Sequence, residues 1–511
     1  MRRFVYGLAA TAVAVSALWA SPASAGKAND TLVWATDREN PITDSSYLNT
    51  RELVIMGSLI FDRLVHLDDS YKPVPALAES WKWENDTTLD FNLRKGVKFH
   101  SGKELDAEDV AYTLNFIVDP AHSSLNRSYL REIKKVDVLD KYKVRVNFEK
   151  PFPTALIFLA GAGNILPKGH YDKAPARPDG KKDYGAVPSD GTGPYKVAEL
   201  KPGQSILLEK NTNYWEGSPK GKPQIGKILF RTIKDSNTRL AELMTGAIDW
   251  VWDVPKDEAE RMMRAPNLTI EKAKTLRFSY LIFDATGRSP DKRFMDKRVR
   301  QAVFHAINRK SLVDNLVGAP SQVIDSPCHP DQFGCSENVT KYDYNPEKAK
   351  KLLAEAGHPN GFEFDLHAYR ERYITEAIIG DLVRVGLKPR LVFLQYGPLV
   401  QAVHKGQVAA ANMTWGSSSI PDVSASTGHF FTGSPDDLSQ DKEVIETIKQ
   451  ANSTIDPDKR AALWEKALKR IADEAYWVPL FTYAKYYAYA KDLDFKASSD
   501  EIPKFYQAKW K

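Results

Sequence analysis

The chain has 511 residues, with 71 Lys and Arg against 66 Asp and Glu and a formal charge of +5. The two signs are interspersed with no basic block, which argues against nucleic acid or a membrane surface as partner. The length suits two or three domains at roughly 150 residues each.

Residues 1–25 read as a secretory signal. Arg2 and Arg3 supply the positive start, Leu8 to Ala20 an apolar stretch, and Ala23-Ser24-Ala25 a small-residue cleavage site. Thr11 and Ser16 interrupt the apolar stretch, which is too short to span a bilayer. The expectation is a soluble periplasmic protein, without direct membrane insertion, whose charge falls from +5 to +3 once both arginines leave.

Further along, Leu89, Phe91 and Leu93 alternate with Asp90, Asn92 and Arg94, the period of a half-buried strand. Lys95-Gly96 makes a turn, Val97 and Phe99 resume the alternation, and Ser101-Gly102 breaks it. Asp106, three residues before Asp109, starts a helix in the manner of a capping box, with Val110, Leu114 and Ile117 on one side. A helix from Asp235 carries Leu240, Leu243 and Met244, stops at Gly246 and hands over to a strand. On that strand Trp250 and Trp252 share one face, either core or cleft wall. Val299, Ala302, Val303, Ala306 and Ile307 follow helical spacing. Asn345 caps a helix with Pro346 at its first position, Leu352 and Leu353 facing inward and Gly357 ending it. Ile374 to Val385 repeats the pattern, and Asp456-Pro457 opens a helix carrying Trp464, Ala467, Leu468 and Ile471. The aromatic run VPLFTYAKYYAYA then reads as strand. The whole is α/β with mixed sheets.

Only two cysteines occur, Cys328 and Cys335, in a polar, proline-containing segment. In an oxidising compartment they are expected to form a disulfide that closes a short loop. A metal site made with His329 lacks a fourth ligand of suitable spacing. No cofactor or metal is implied.

An enzyme would need a recognisable constellation. No GxSxG elbow, HExxH, P-loop or GxGxxG is present, and Gly161-Ala162-Gly163 fails the last of these. The ten histidines are scattered without metal-ligand spacing on a helix. The competing reading is a secreted hydrolase or a chemosensory receptor.

The stretch LAESWKWENDTTLDFNLRKGVKFHSGKELDAEDVAYTLNF, residues 77–116, closely resembles the signature of the family 5 solute-binding proteins, the peptide, opine and nickel receptors of bacterial ABC importers. Four later segments resemble the same family in the same order: GTGPYKV at 191–197 with NTNYW at 211–215, TRLAELMTGAIDWVWDVP at 238–255, RVRQAVFHAINRKSLVDNLVGA at 298–319, and YDYNPEKAKKLLAEAGHPNGFEF at 342–364. The resemblance implies a two-lobed periplasmic-binding-protein fold (type II, cluster C-like) with an extra subdomain. Subdomain Ia would comprise 26–60, 190–276 and 480–511, subdomain Ib 61–189, and lobe II 277–479. It further implies a small-molecule solute held between hinged lobes, an inner-membrane ABC permease as partner, a monomer, and no catalysis. Hinge turns would lie at residues such as Gly193 and near Phe283.

Within that resemblance, Tyr47, Asn49 and Arg51 fall where the family's cleft loop lies, and His100 inside the signature reads as structural. Trp250 and Trp252 are candidates for a cleft wall. In peptide-binding members the segment after Trp415 resembles W-x-x-D, whose Asp pairs with the α-ammonium of the ligand. Here Ser417, Ser418 and Ser419 follow, and no acid appears before Asp422. Hydroxyls donate and accept neutral hydrogen bonds, which favours an opine or sugar conjugate over a peptide, with Asp422 left to reach an ammonium from a shifted place. Arg277, Arg370 and Arg372 are candidates for gripping a carboxylate or phosphate by a two-pronged fork.

Overall fold

The computed structural model describes residues 25–48, 50–416 and 420–511. The signal-like stretch 1–24, together with Asn49, Ser417, Ser418 and Ser419, lies outside them.

Two sheets organise the molecule. The smaller is antiparallel, in the order Ala78–Asn85, Thr88–Leu93, Lys143–Phe148, Ile133–Asp140. Leu89, Phe91 and Leu93 are buried as their alternation requires. Asp90 is buried among them because the Arg145 guanidinium grips it at 2.7 and 2.9 Å. The helix Ala107–Val118 covers this sheet. It starts with the capping box of Asp106 and Asp109, and it buries Val110, Leu114 and Ile117.

The larger sheet has ten described strands, in the order Lys388–Phe393, Glu363–Ala368, Ala410–Trp415, Leu268–Phe283, Trp477–Ala490, Trp250–Trp252, Thr31–Thr36, Lys227–Thr232, Ser205–Lys210, Tyr195–Lys201. It runs through both lobes. The long strands Leu268–Phe283 and Trp477–Ala490 are shared by its two halves: their outer halves pair with each other beside Trp250–Trp252, and their inner halves lie beside Ala410–Trp415.

Between those halves the pairing slips. Lys274 faces Ala484 and Phe278 faces Thr482, so Thr275, Leu276 and Arg277 together face Tyr483. A bulge of this kind bends and twists a strand locally. The Thr275 hydroxyl donates to the Tyr483 carbonyl at 3.1 Å, and the Leu276 N–H reaches the Ser499 carbonyl at 2.8 Å. The bulge adjoins the lobe boundary expected at residue 277, and neither Gly193 nor Phe283 lies in it. Gly193 packs inside the first lobe, where a Cβ would collide with the Leu59 and Ile60 carbonyls. Phe283 stacks on Phe294 in the core of the second lobe.

The helices largely follow their sequence signals. Asn345 caps Pro346–Glu355, Asp456 caps Pro457–Asp473, and Lys297–Ala306 buries Val299, Ala302, Val303 and Ala306. In Ser236–Thr245 only Leu243 is buried, and Met244 points to solvent. Among the described residues no helix is long and apolar enough to cross a membrane.

Candidate functional site: the cleft between the lobes

The helix Arg51–Ile60 borders the cleft. Thr50 caps it, its side chain accepting from the Leu53 N–H. Beyond its last turn comes Phe61-Asp62-Arg63-Leu64-Val65-His66, in which Phe61, Leu64 and Val65 are buried. Burying these anchors fixes the polar residues between them. Asp62 is fully enclosed and accepts from Tyr214 Oη at 3.0 Å, Trp215 Nε1 at 2.7 Å and Thr192 Oγ1 at 3.2 Å. Lys220 Nζ lies 2.8 Å from it and also donates to the Ser58 and Phe61 carbonyls, both at 2.7 Å. The GTGPYKV and NTNYW segments therefore converge on one carboxylate. His100 ties the signature to the same place, its N–H donating to the Gly191 carbonyl at 2.8 Å and its Nε2 lying 3.0 Å from the Gly193 carbonyl.

A cavity of about 420 Å³ opens beside this hub, bounded by the helix Arg51–Ile60, the segment 157–162, the C-terminal stretch 500–506 and, from the second lobe, Ile420 and Pro421. Its ionisable lining is Arg51, Arg63, His66, Lys220, Lys504 and Asp500. Its apolar walls include Val54, Ile157, Phe158 and Tyr129. Burial, reinforced by the charges of Lys220, Lys504 and Arg63, pushes the His66 imidazole down to about 3, so it stays neutral.

Next to the cavity, at the bulge, Glu501 is buried among Lys485 at 3.0 Å, Arg277 at 3.4 Å and Arg51 at 3.8 Å. Burial alone would raise its carboxyl. The three cations outweigh that and hold it below the usual range. These groups come from the helix Arg51–Ile60, both crossing strands and the C-terminal stretch, so one carboxylate binds the hinge together. Lys485 also lies over the half-buried Trp252 ring, 5.6 Å from its centroid.

The other sequence candidates divide. Trp250 is removed from the cleft wall: it is completely buried, packed against Phe505 at 5.1 Å, Tyr487 at 5.8 Å and Trp34 at 6.1 Å. Asp422 is removed from ammonium binding. It too is completely buried, and the Arg460 guanidinium takes both its oxygens at 2.7 Å. Its side chain also accepts from the Ser424 N–H at 3.0 Å. Tyr47 lies in an aromatic cluster, edge-on to Tyr171 at 5.7 Å and tilted on Tyr184 at 5.6 Å. Trp415, half-buried, stacks on His429 at 5.2 Å and donates from Nε1 to the Ala425 carbonyl at 2.7 Å. The Arg277 guanidinium packs on Gly416, where a Cβ would approach to 3.0 Å. Arg370 pairs with Glu371 at 2.8 Å beside the bulge, Glu371 in turn accepting from Tyr483 Oη at 3.0 Å. Arg372 pairs with Glu376 on the surface. Cys328 and Cys335 are joined in a disulfide. Asn49, Ser417 and Ser418 lie outside the described residues, among which no group of three or more metal-ligating side chains gathers.

The sequence reading missed Arg63, His66, Lys220, Lys504, Asp500 and Glu501. One signal was available: three ionisable residues sit among three core residues in FDRLVH, a costly arrangement unless each finds a partner. Nothing local marks Lys220.

The model of the bacterial extracellular solute-binding proteins, family 5 (middle), matches residues 72–437. The chain belongs to this family. The solute-binding protein described here is 26% identical over 452 residues to the heme-binding protein A of Haemophilus influenzae, covering 82% of this chain and 81% of that one. It is 27% identical over 510 residues to the glutathione-binding protein GsiB of Shigella flexneri, covering 95% of each. Among solved structures it resembles HbpA2 from Haemophilus parasuis with a TM-score of 0.82 at 25% identity, over 94% of this chain and 100% of that one. It also resembles the ABC transporter-associated periplasmic binding protein DppA from Helicobacter pylori in complex with the peptide STSA, with a TM-score of 0.72 at 25% identity over 94% and 98%. The chain is thus a two-lobed solute-binding protein of the class that serves ABC importers, a family whose matched members are binding proteins.

Proposed function

We propose that this protein captures a small polar organic solute of anionic character in the cleft between its lobes and hands it to an inner-membrane ABC permease. It acts as a periplasmic monomer and transforms nothing. Residues 26–60, 61–189, 190–276 and 480–511 form the first lobe in this reading, and residues 277–479 the second. The observation that carries the ligand class is the interlobe cavity: four Lys and Arg side chains line it, and while Arg51, Lys220 and Lys504 pair with Glu501, Asp62 and Asp69, Arg63 has no carboxylate within ion-pair distance among the described residues. A low-dielectric wall around an uncompensated charge concentrates the opposite sign. The buried Arg460 partner of Asp422 removes the acid that a peptide ammonium would use. An opine, a sugar conjugate or an acidic peptide such as glutathione, the ligand in the name of one relative, suits these walls.

The test is ligand-dependent thermal stabilisation without chemical change. Solute at 100 times its dissociation constant should stabilise the protein by about 2.7 kcal/mol, and mass spectrometry should recover it intact. Turnover of the added compound would overturn the reading.

A further inference from the structure

We infer that Arg63 is the residue that takes the anionic group of the solute, a carboxylate, inside the interlobe cavity. The inference rests on the solute-binding reading and adds the group that decides which solutes enter.

Arg63 follows the buried Asp62 and precedes the buried Leu64, so its backbone is fixed by the core. Its Nε donates to Asn164 Oδ1 and its Nη1 to the Ala160 carbonyl, both at 2.9 Å. The Asn164 amide is oriented for this, because its Nδ2 donates to Ser45 Oγ at 3.2 Å. Both partners are neutral. Among the described residues no carboxylate lies within ion-pair distance of Arg63, and its Nη2 has no hydrogen-bond partner. The adjacent carboxylate, Asp62, is committed to Tyr214, Trp215, Thr192 and Lys220.

A buried charge is retained when something pairs with it. Desolvation brings the Arg63 guanidinium down only to about 10, so it remains charged at neutral pH. Arg63 lines the cavity; Nη1 keeps a second N–H beyond the one given to Ala160 and Nη2 keeps both, donors that a planar carboxylate can accept together. Lys220 and neutral His66 line the same cavity, so no lining acid competes there except Asp500.

The experiment takes the full mature protein, stripped of solute, and incubates it with a bacterial metabolite extract split on an anion-exchange resin. Native mass spectrometry reads adducts on wild type, Arg63→Gln and Arg63→Lys, and each variant is melted without solute. Wild type should take its solute from the retained fraction. Arg63→Gln should bind that purified solute roughly thirtyfold or more weakly while melting at the wild-type temperature or above, because an unpaired charge has been removed. Arg63→Lys, with a charge but no fork, should fall between. Adducts drawn only from the unretained fraction overturn the role of Arg63 and leave solute binding standing. No adduct from either fraction overturns both. Undiminished binding in Arg63→Gln, or a lower melting temperature with undiminished binding, marks the guanidinium as structural and overturns the inference. If Arg63→Gln does not fold, unchanged affinity in Arg63→Lys does the same.

Discussion

Asp422 and Arg460 meet in a fully buried two-pronged ion pair, Nη1 to Oδ2 and Nη2 to Oδ1, both at 2.7 Å. The pair fastens the loop after Trp415 to the helix Pro457–Asp473, with Phe333 under the guanidinium 5.0 Å away. Removing one member of such a pair strands the other in a low-dielectric place. Asp422→Asn should therefore cost about 3–5 kcal/mol of folding stability in a urea titration. Calorimetry on the folded variant should show solute affinity within about twofold of wild type, since the Asp422 carboxylate faces Arg460 and is not among the groups lining the cavity. A selective loss of affinity at unchanged stability would restore Asp422 to the cleft.

Glu501 holds three cations at the bulge, so it should govern how the lobes move. Small-angle scattering of the wild type should show a smaller radius of gyration with solute, as expected of closure about a hinge. Glu501→Gln leaves Arg51, Arg277 and Lys485 without their shared carboxylate. It should lower stability by about 3 kcal/mol and broaden the scattering profile of the empty protein. An unchanged profile on saturation of the wild type would remove the hinge.

The pH dependence of stability should have two limbs with opposite signs. Asp249 is buried, accepting from the Val33 N–H at 2.8 Å and the Gly26 N–H at 3.2 Å. Burial pushes its carboxyl up from 3.8 to about 7. A raised folded value means its contribution is fully present below about 3.8 and is lost as pH rises through about 7. Glu501 is held below 4.5, so its contribution is present above 4.5 and is lost as pH falls through its lower folded value. Melting temperature should therefore peak in mildly acidic buffer. Asp249→Asn should flatten the limb between about pH 4 and 7, and Glu501→Gln the limb below it. A variant that leaves its limb intact would show that another group carries it.

The Cys328–Cys335 bridge spans a separation of seven residues. Closing so short a loop limits the unfolded chain little, and Cys328→Ser with Cys335→Ser should cost about 2.5 kcal/mol. Alkylation of the unfolded, unreduced protein should label neither sulfur.

Much of the fold was legible because the signals are local. The capping box at Asp106, the Asn345-Pro346 start and the alternation in 89–93 each depend on a handful of neighbours. The cleft was less legible because its groups are brought together across the chain. Lys220 reaches Asp62 across a sequence separation of 158, and Glu501 reaches Arg51 from the other end. Asp422 shows the same limit from the opposite side. Its spacing from Trp415 suggested a ligand contact, and only the fold brings Arg460 to it.

The strand Trp477–Ala490 lies near the end of the chain and in the middle of the larger sheet, between Leu268–Phe283 and Trp250–Trp252. Strands on both sides of it are made long before it. Without it, Leu268–Phe283 and Trp250–Trp252 would present two open edges to each other, so this single strand joins the two halves of the sheet into one hydrogen-bonded whole.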